Sequence, residues 1–341
     1  MKNKILYLIL TLLVISGIVA FIYYQKIYGK AVIENGKIYI TSNNTLKDVE
    51  NKIAKFITNE DDFNFVAGLK KYTKPKAGMY LLKKDMNMNK LVNMLRIGDQ
   101  TAIKISFNNQ DSLEKLAGRI AQQIETDSLS LLKAMRDPSF LKANDFTQKT
   151  ALGMYIPNQY EVYWNTSGKN FRKKMLIEYN RFWNPNRLAK AKKLNLTKDQ
   201  VSTLASIVQK ETAQEAERPV VAGLYLNRYK DGWPLQADPT IIYALKEKHG
   251  HDKVFKRVLN RDLTIDSKYN TYQNIGLPPT LIAMPDITSI DAVLNPNKHN
   301  YYYMCASIDK IGFHEFAKTL SQHNRNAQKY QNWINQQGIK R

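Results

Sequence analysis

"TKDQVSTLASIVQKETA", Thr197–Ala213, fixes a central helix and raises the question of why Glu211 sits where it does. Thr197-Lys198-Asp199-Gln200 is a capping box, in which a Thr hydroxyl and a Gln amide three residues later satisfy each other's backbone N–H groups. The helix therefore starts at Lys198. At about 100° per residue from Leu204, Ile207 falls at about 300°, Val208 at about 40° and Glu211 at about 340°. Ser206, Gln209 and Lys210 fall on the opposite side. A carboxyl group thus lies in the middle of an apolar stripe, where poor hydration disfavours its charged form and raises its pKa. A Glu tuned this way can donate a proton and take one back, as cleavage of a glycosidic bond requires. The alternative is that Glu211, near the helix end, turns outward to pair with Lys210 or Arg218, and the wheel leaves both open.

Two later stretches have compositions that suit a saccharide groove. "LQADPTIIYAL", Leu235–Leu245, sets Gln236, Asp238 and Thr240 at a helix head, with Asp238 expected as N-cap and Pro239 at the first helical position. "YNTYQNIGLPPTLIAMP", Tyr269–Pro285, packs Tyr269, Asn270, Thr271 and Tyr272 into a proline-stiffened loop. Aromatic faces suit the C–H side of a sugar, and amides and hydroxyls suit its rim. A packed structural loop fits the same composition. His314 and His323 are too far apart for the H-E-x-x-H metalloprotease pattern, and no metal site or cofactor is expected. G-x-S-x-G and phosphate-loop patterns are absent from the sequence.

The chain has 341 residues, with hydrophobic content of 43% and charged content of 24%, which makes it globular rather than disordered. Its net charge of +21 comes from Lys and Arg spread along the sequence, a diffuse field suited to an anionic polymer or lipid. Zinc-finger spacing, an RNP-type aromatic signature and a basic heptad helix are all missing, so no nucleic-acid partner is expected. Ile5–Tyr24, "ILYLILTLLVISGIVAFIYY", is uncharged and long enough to span a bilayer, with Tyr23 and Tyr24 placed as an interfacial belt. Around Gly17 and Ala20 no clear small-x-small cleavage site follows a short apolar core, so a single-pass anchor is expected, with the bulk of the chain outside the cytoplasm. Cys305 is the only cysteine, which excludes an intrachain disulfide, a cysteine metal cluster and a lipoprotein anchor after the apolar run.

The fold class expected is α+β. A transmembrane helix is followed by a small α+β unit and then by a larger mixed α/β domain. Ala31–Ile40 alternates around Asn35-Gly36, a hairpin signal. Helices are expected near Thr45–Phe56, Asp61–Lys70 and Met88–Arg96, with a strand over Lys76–Lys84. Past Gly98-Asp99, Thr101–Phe107 reads as a strand and a helix starts near Ser112. Further helices are expected over Phe171–Trp183, Arg218–Tyr229, Pro239–Lys248 and Phe316–Gln336.

"ASIVQKETA", "ERPVVAGLYLNR", "LQADPTIIYAL", "YNTYQNIGLPPTLIAMP" and the C-terminal His314-Glu315-Phe316 with His323-Asn324 resemble, in order and spacing, the endolytic murein transglycosylases of the MltG (YceG-like) family. The resemblance runs from about Thr101 to Tyr330, and more loosely from Thr45. It implies a cytoplasmic head at 1–4, an anchor at 5–24, a LysM-like module at 25–100 and a catalytic domain at 101–341. It also implies an enzyme on the outer face of the bacterial cytoplasmic membrane that cuts nascent peptidoglycan strands internally, alongside penicillin-binding synthases. The family's catalytic glutamate is followed by Thr-Ala, which here is Glu211. Where many members carry a second glutamate two residues earlier, this chain has Gln209. "PNQY", Pro157–Tyr160, stands where members often have Pro-Asp-Thr-Tyr, and no role is assigned there. Gln236, Asp238, Thr240, Tyr269, Asn270, Thr271 and Tyr272 are the expected substrate-binding residues. Asn227 and Arg228 also match, on a helix whose apolar spacing suggests a partly structural role. A cell-wall-binding scaffold without catalysis and a water-consuming muramidase are the alternatives.

Overall fold

Twenty uncharged residues produce a long first helix, α1 (Lys2–Tyr28), in the computed structural model, which describes residues 2–337. Asn3–Tyr28 is long and apolar enough to cross a membrane, as an anchor or as a signal sequence. Among the described residues the chain is mostly helical, and its strands form small two-stranded sheets. It divides into two units, one of Met1–Ile105 with Ala121–Asp127 and Gln159–Ser167, the other of Ser106–Ile120, Ser128–Asn158 and Gly168–Arg341.

The first unit continues with β1 (Gly36–Ile40), α2 (Leu46–Ile53), α3 (Glu60–Leu69), β2 (Gly78–Leu82) and α4 (Met88–Ile97). The hairpin expected around Asn35-Gly36 does not form. β1 pairs instead with the distant β2, antiparallel, with Ile38 opposite Tyr80. Residues before Asn35 are drawn elsewhere: Ala31 and Val32 donate their N–H groups to the Met86 carbonyl. Asn35 Oδ1 accepts from the Lys84 N–H at 2.9 Å, so the Asn ties the end of the β1–β2 pair. Gly36 is required for another reason, since a Cβ there would lie 2.3 Å from the Phe56 ring. Ile38, Ile40, Val49, Ile53, Phe63 and Val66 form the centre of this core, closed by Leu91 and Leu95 of α4.

β3 (Ile103–Phe107) and β4 (Asn158–Val162) pair, and two of the points where the chain passes from one unit to the other fall within these strands. The second unit has α5 (Leu113–Ala121), α6 (Ser128–Met135), α7 (Pro138–Ala143), α8 (Gly168–Phe182), α9 (Pro185–Lys193), α10 (Lys198–Glu211) and α11 (Arg218–Lys230). After them come α12 (Asp238–His249), α13 (Ile287–Leu294), β5 (Tyr303–Ala306), β6 (His314–Ala317) and α14 (Leu320–Gln336). Helix dominates this unit, with less sheet than the mixed α/β domain expected.

The Thr197–Gln200 capping box starts α10. The helix is more enclosed than its wheel implies, because every residue from Val201 to Val208 is buried between α11, α12 and α13. Its polar side is satisfied internally. Ser206 Oγ donates to the Thr203 carbonyl and accepts from Ile282 N–H, and Gln209 Oε1 accepts from Asp286 N–H and Ser289 Oγ. Two expectations fail nearby. Asp238 does not cap α12, whose N-cap is Ala237, so its carboxylate is left for other partners. The last helix begins at Leu320 rather than Phe316, because His314–Ala317 pairs with β5 as a strand.

Candidate active site

α10 ends at Glu211, and its last residue projects from the helix bundle into an open cleft of about 240 Å³. The walls come from α11 (Leu224, Tyr225, Arg228), the segment entering α12 (Gln236, Asp238), the Tyr272 loop and the β5–β6 sheet (Met304, Cys305, Ala306, His314). Neither cation that could have drawn Glu211 outward is available. Lys210 pairs with Asp111 at 2.8 Å, and the buried Arg218 grips both oxygens of Asp286 at 2.9 Å. Glu211 therefore keeps its carboxyl at the base of the cleft.

There the Tyr225 hydroxyl donates to Glu211 Oε1 at 2.7 Å. The Glu211 side chain is partly open to the cleft yet enclosed by protein at depth. Burial pushes its pKa up to about 7. The Tyr225 hydrogen bond and the positive charges of His314 and Arg228 pull the other way, while Asp238 adds to the rise. The acid is consequently divided between its two forms near neutral pH, the condition under which one group can both give and recover a proton.

A second carboxyl stands behind His314. Glu217, 5% exposed, accepts from the His314 backbone N–H at 2.6 Å and pairs with its ring Nδ1 at 2.8 Å. Burial lowers the His314 pKa, but the hydrogen bond and charge of Glu217, with the charge of Glu211, outweigh it and leave the value raised. The imidazole is thus held in one orientation on the cleft wall. Arg228 serves as a bracket: Nε donates to the Tyr302 carbonyl at 2.7 Å and Nη1 to the Leu235 carbonyl at 2.5 Å. One buried guanidinium joins the β5 wall to the α12 wall.

The structure sorts the expected groove residues into two sets. Gln236, Asp238 and Tyr272 line the cleft, with the Tyr272 hydroxyl donating to Asp238 Oδ1 at 2.6 Å. Thr240, Tyr269, Asn270 and Thr271 are buried behind it and spend their polar groups on construction. Thr271 Oγ1 accepts from Ala237 N–H at 3.0 Å and lies 2.8 Å from Thr240 Oγ1, which donates to the Ala237 carbonyl. With Gln236 N–H bonded to the Thr271 carbonyl, this network holds Gln236 at φ +51°, a left-handed conformation that disfavours a side chain bearing Cβ. Asn270 uses both amide hydrogens on the Leu263 and Ile265 carbonyls, and its oxygen accepts from Tyr272 N–H. Tyr269 bonds Thr280 and packs on the Tyr243 ring, with centroids 4.6 Å apart.

Tyr225 and Arg228 of α11 and His314 of β6 converge on Glu211, and Glu217, just before α11, backs His314. In the sequence, the only hint was the position of each inside a quoted motif. Among the described residues no group of three or more His, Cys, Asp or Glu side chains is placed to hold a metal ion.

The model of the YceG-like family matches residues 38–329. Over 330 residues the chain is 29% identical to the endolytic murein transglycosylase of Bacillus subtilis, covering 89% of each. Against the endolytic murein transglycosylase of Streptococcus pneumoniae the identity is 26%, and the match spans 79% of this chain and 53% of that one. Among solved structures, a YceG-like protein from Listeria monocytogenes matches with a TM-score of 0.56 and 27% identity, covering 86% of this chain and 98% of its own.

Proposed function

Because the chain belongs to the YceG-like family, we propose that it is a membrane-anchored endolytic lytic transglycosylase of peptidoglycan. The observation that carries this reading is Glu211, a carboxylic acid with a pKa pushed up to about 7, tethered by Tyr225 at the base of an open polar cleft. The relatives' names supply the substrate class, a murein glycan strand.

Protonated Glu211 donates to the oxygen that joins C1 of N-acetylmuramic acid to N-acetylglucosamine. The C1–O bond breaks as an oxocarbenium-like centre forms, which the newly charged carboxylate stabilises. That carboxylate then removes the proton from the muramoyl C6 hydroxyl as its oxygen closes on C1. The products are a free N-acetylglucosamine end and a 1,6-anhydromuramoyl end, with no water consumed. Since the nucleophile belongs to the substrate, one catalytic carboxyl suffices, unlike the paired carboxyls of most glycosidases. Gln236, Asp238 and Tyr272 bind the sugars on one wall, and His314 presents a donor on the other. The buried Thr240, Tyr269, Asn270 and Thr271 position that first wall.

In this reading α1 stays attached as a single-pass anchor and places the cleft on the outer face of the cytoplasmic membrane, where new strands emerge from penicillin-binding synthases. The cleft is open rather than a closed pocket, which suits entry of a strand without a free end. Digestion of purified glycan strands, followed by mass spectrometry, tests the reaction. Internal fragments ending in anhydromuramic acid are expected. Hydrated reducing ends would identify a muramidase, and uncut strands that still bind would identify a scaffold.

A further inference from the structure

Within the first unit α1 packs against α3 and α4. The Tyr23 and Phe65 rings lie 5.3 Å apart, and Lys26 pairs with Asp62 at 3.1 Å. Advancing three residues along α1 therefore moves three residues back along α3, so the two helices run antiparallel. The C-terminal end of α3 points down α1, towards the apolar segment. α4 behaves similarly: Lys30, past the end of α1, bridges to Asn87 at the head of α4, and α4 then packs against α1.

At these two descending ends the apolar residues are exposed. Leu69 is 59% and Ile97 is 57% accessible, although both belong to helices whose other large apolar residues face the core. In sequence these residues are followed or preceded by Lys70, Lys71, Lys74, Lys76 and Arg96, and within 69–76 and 96–99 the one acid is Asp99. Lys76 Nζ also donates to the Ile97 carbonyl at 3.0 Å, which brings the two ends together. The helix dipole favours cations at a C-terminus, but it gives no reason for exposed Leu and Ile. Lys71 adds a second anomaly. It occupies the left-handed position of a Schellman cap at φ +52°, with Tyr72 N–H bonded to the Ala67 carbonyl, where glycine is the usual residue.

We infer that this face is a membrane-docking surface for the anionic bilayer that α1 crosses, with Leu69 and Ile97 inserted at the headgroup boundary and the neighbouring cations on lipid phosphates. The inference rests on α1 being retained as an anchor. If Tyr23 marks the interface, Leu69, four residues beyond Phe65 on the antiparallel helix, reaches up to about 6 Å deeper. That depth matches the burial of interfacial apolar side chains. The N-terminal end of α3, with Glu60, Asp61 and Asp62, faces away from the lipid, so the helix is polarised along the membrane normal.

The test uses the full chain in lipid vesicles, with Cys305→Ser removing the native thiol. Leu69→Cys, Ile97→Cys and Glu60→Cys each receive a polarity-sensitive fluorophore, and quenching by nitroxide lipids is read after flotation. In anionic vesicles the probes at 69 and 97 should be quenched at least about threefold more than the probe at 60, as expected for interfacial burial. The excess should fall when Lys70, Lys71 and Lys74 are all changed to Glu, and in zwitterionic vesicles. Equal quenching at all three sites, or an excess indifferent to charge, overturns the docking surface even though the chain floats. Failure of the chain to float with vesicles overturns the anchor reading itself, a distinguishable outcome.

Discussion

Glu211→Gln should abolish release of anhydromuramoyl fragments, with cleavage reduced by at least about 10³-fold, because the same group acts as acid and then as base. Gln has nearly the shape of Glu and can still accept from Tyr225, so the cleft keeps its geometry and loses only its transferable proton. Unfolding does not account for the loss. Glu211 binds its proton more tightly folded than unfolded, so its favourable contribution to stability is present at low pH. That contribution is lost as pH rises from the ordinary 4.5 through about 7. Above that range a neutral Gln is no worse than a buried carboxylate, and the variant should melt at or above the wild-type temperature at pH 8. Cleavage by Glu211→Gln at more than about a tenth of the normal rate would remove Glu211 from the chemistry.

Arg228→Met should give the largest loss of stability among cleft residues. Met fills similar volume but donates nothing, so the Tyr302 and Leu235 carbonyls lose the guanidinium that joins the two walls. Hydrogen bonds from a charged group are worth about 1.5–3 kcal/mol each, so a deficit of about 3 kcal/mol or more is expected in chemical denaturation. Activity should fall as well, and the surviving activity should extend to higher pH, because removal of a nearby cation raises the pKa of Glu211 further. Unchanged stability together with a lost pH limb would mean that Arg228 acts on charge alone.

Local chemistry made much of the fold legible. Thr197 and Gln200 marked the start of α10, and apolar periodicity placed α3, α4, α8 and α11 to within a few residues. The failures share a physical cause, which is competition from partners far away in sequence. Asn35-Gly36 reads as a turn, but β1 finds β2 across the α2–α3 excursion, and the glycine serves the Phe56 contact. Asp238 reads as a cap, but the Tyr272 hydroxyl claims its carboxylate while Thr240 bonds the Ala237 carbonyl. Ser206 and Gln209 fall on the polar side of the wheel, which cannot show that Ile282 and the start of α13 cover them. For the candidate site, the wheel singled out Glu211 but could not show Tyr225 or the Glu217–His314 pair reaching the same cleft. In the Tyr269–Tyr272 run, composition did not separate the half-buried, cleft-lining Tyr272 from the buried residues that hold it, since all four are polar or aromatic.

The most direct measurement is the titration of the Glu211 carboxyl carbon by nuclear magnetic resonance, with the signal assigned by its disappearance in Glu211→Gln. A midpoint near 7 is predicted, and Tyr225→Phe should move it upward, because the phenol stabilises the ionised form that it hydrogen-bonds. A midpoint in the ordinary carboxylate range, at or below about 4.5, would mean a hydrated, ionised side chain at neutral pH and would contradict the role of Glu211 as proton donor.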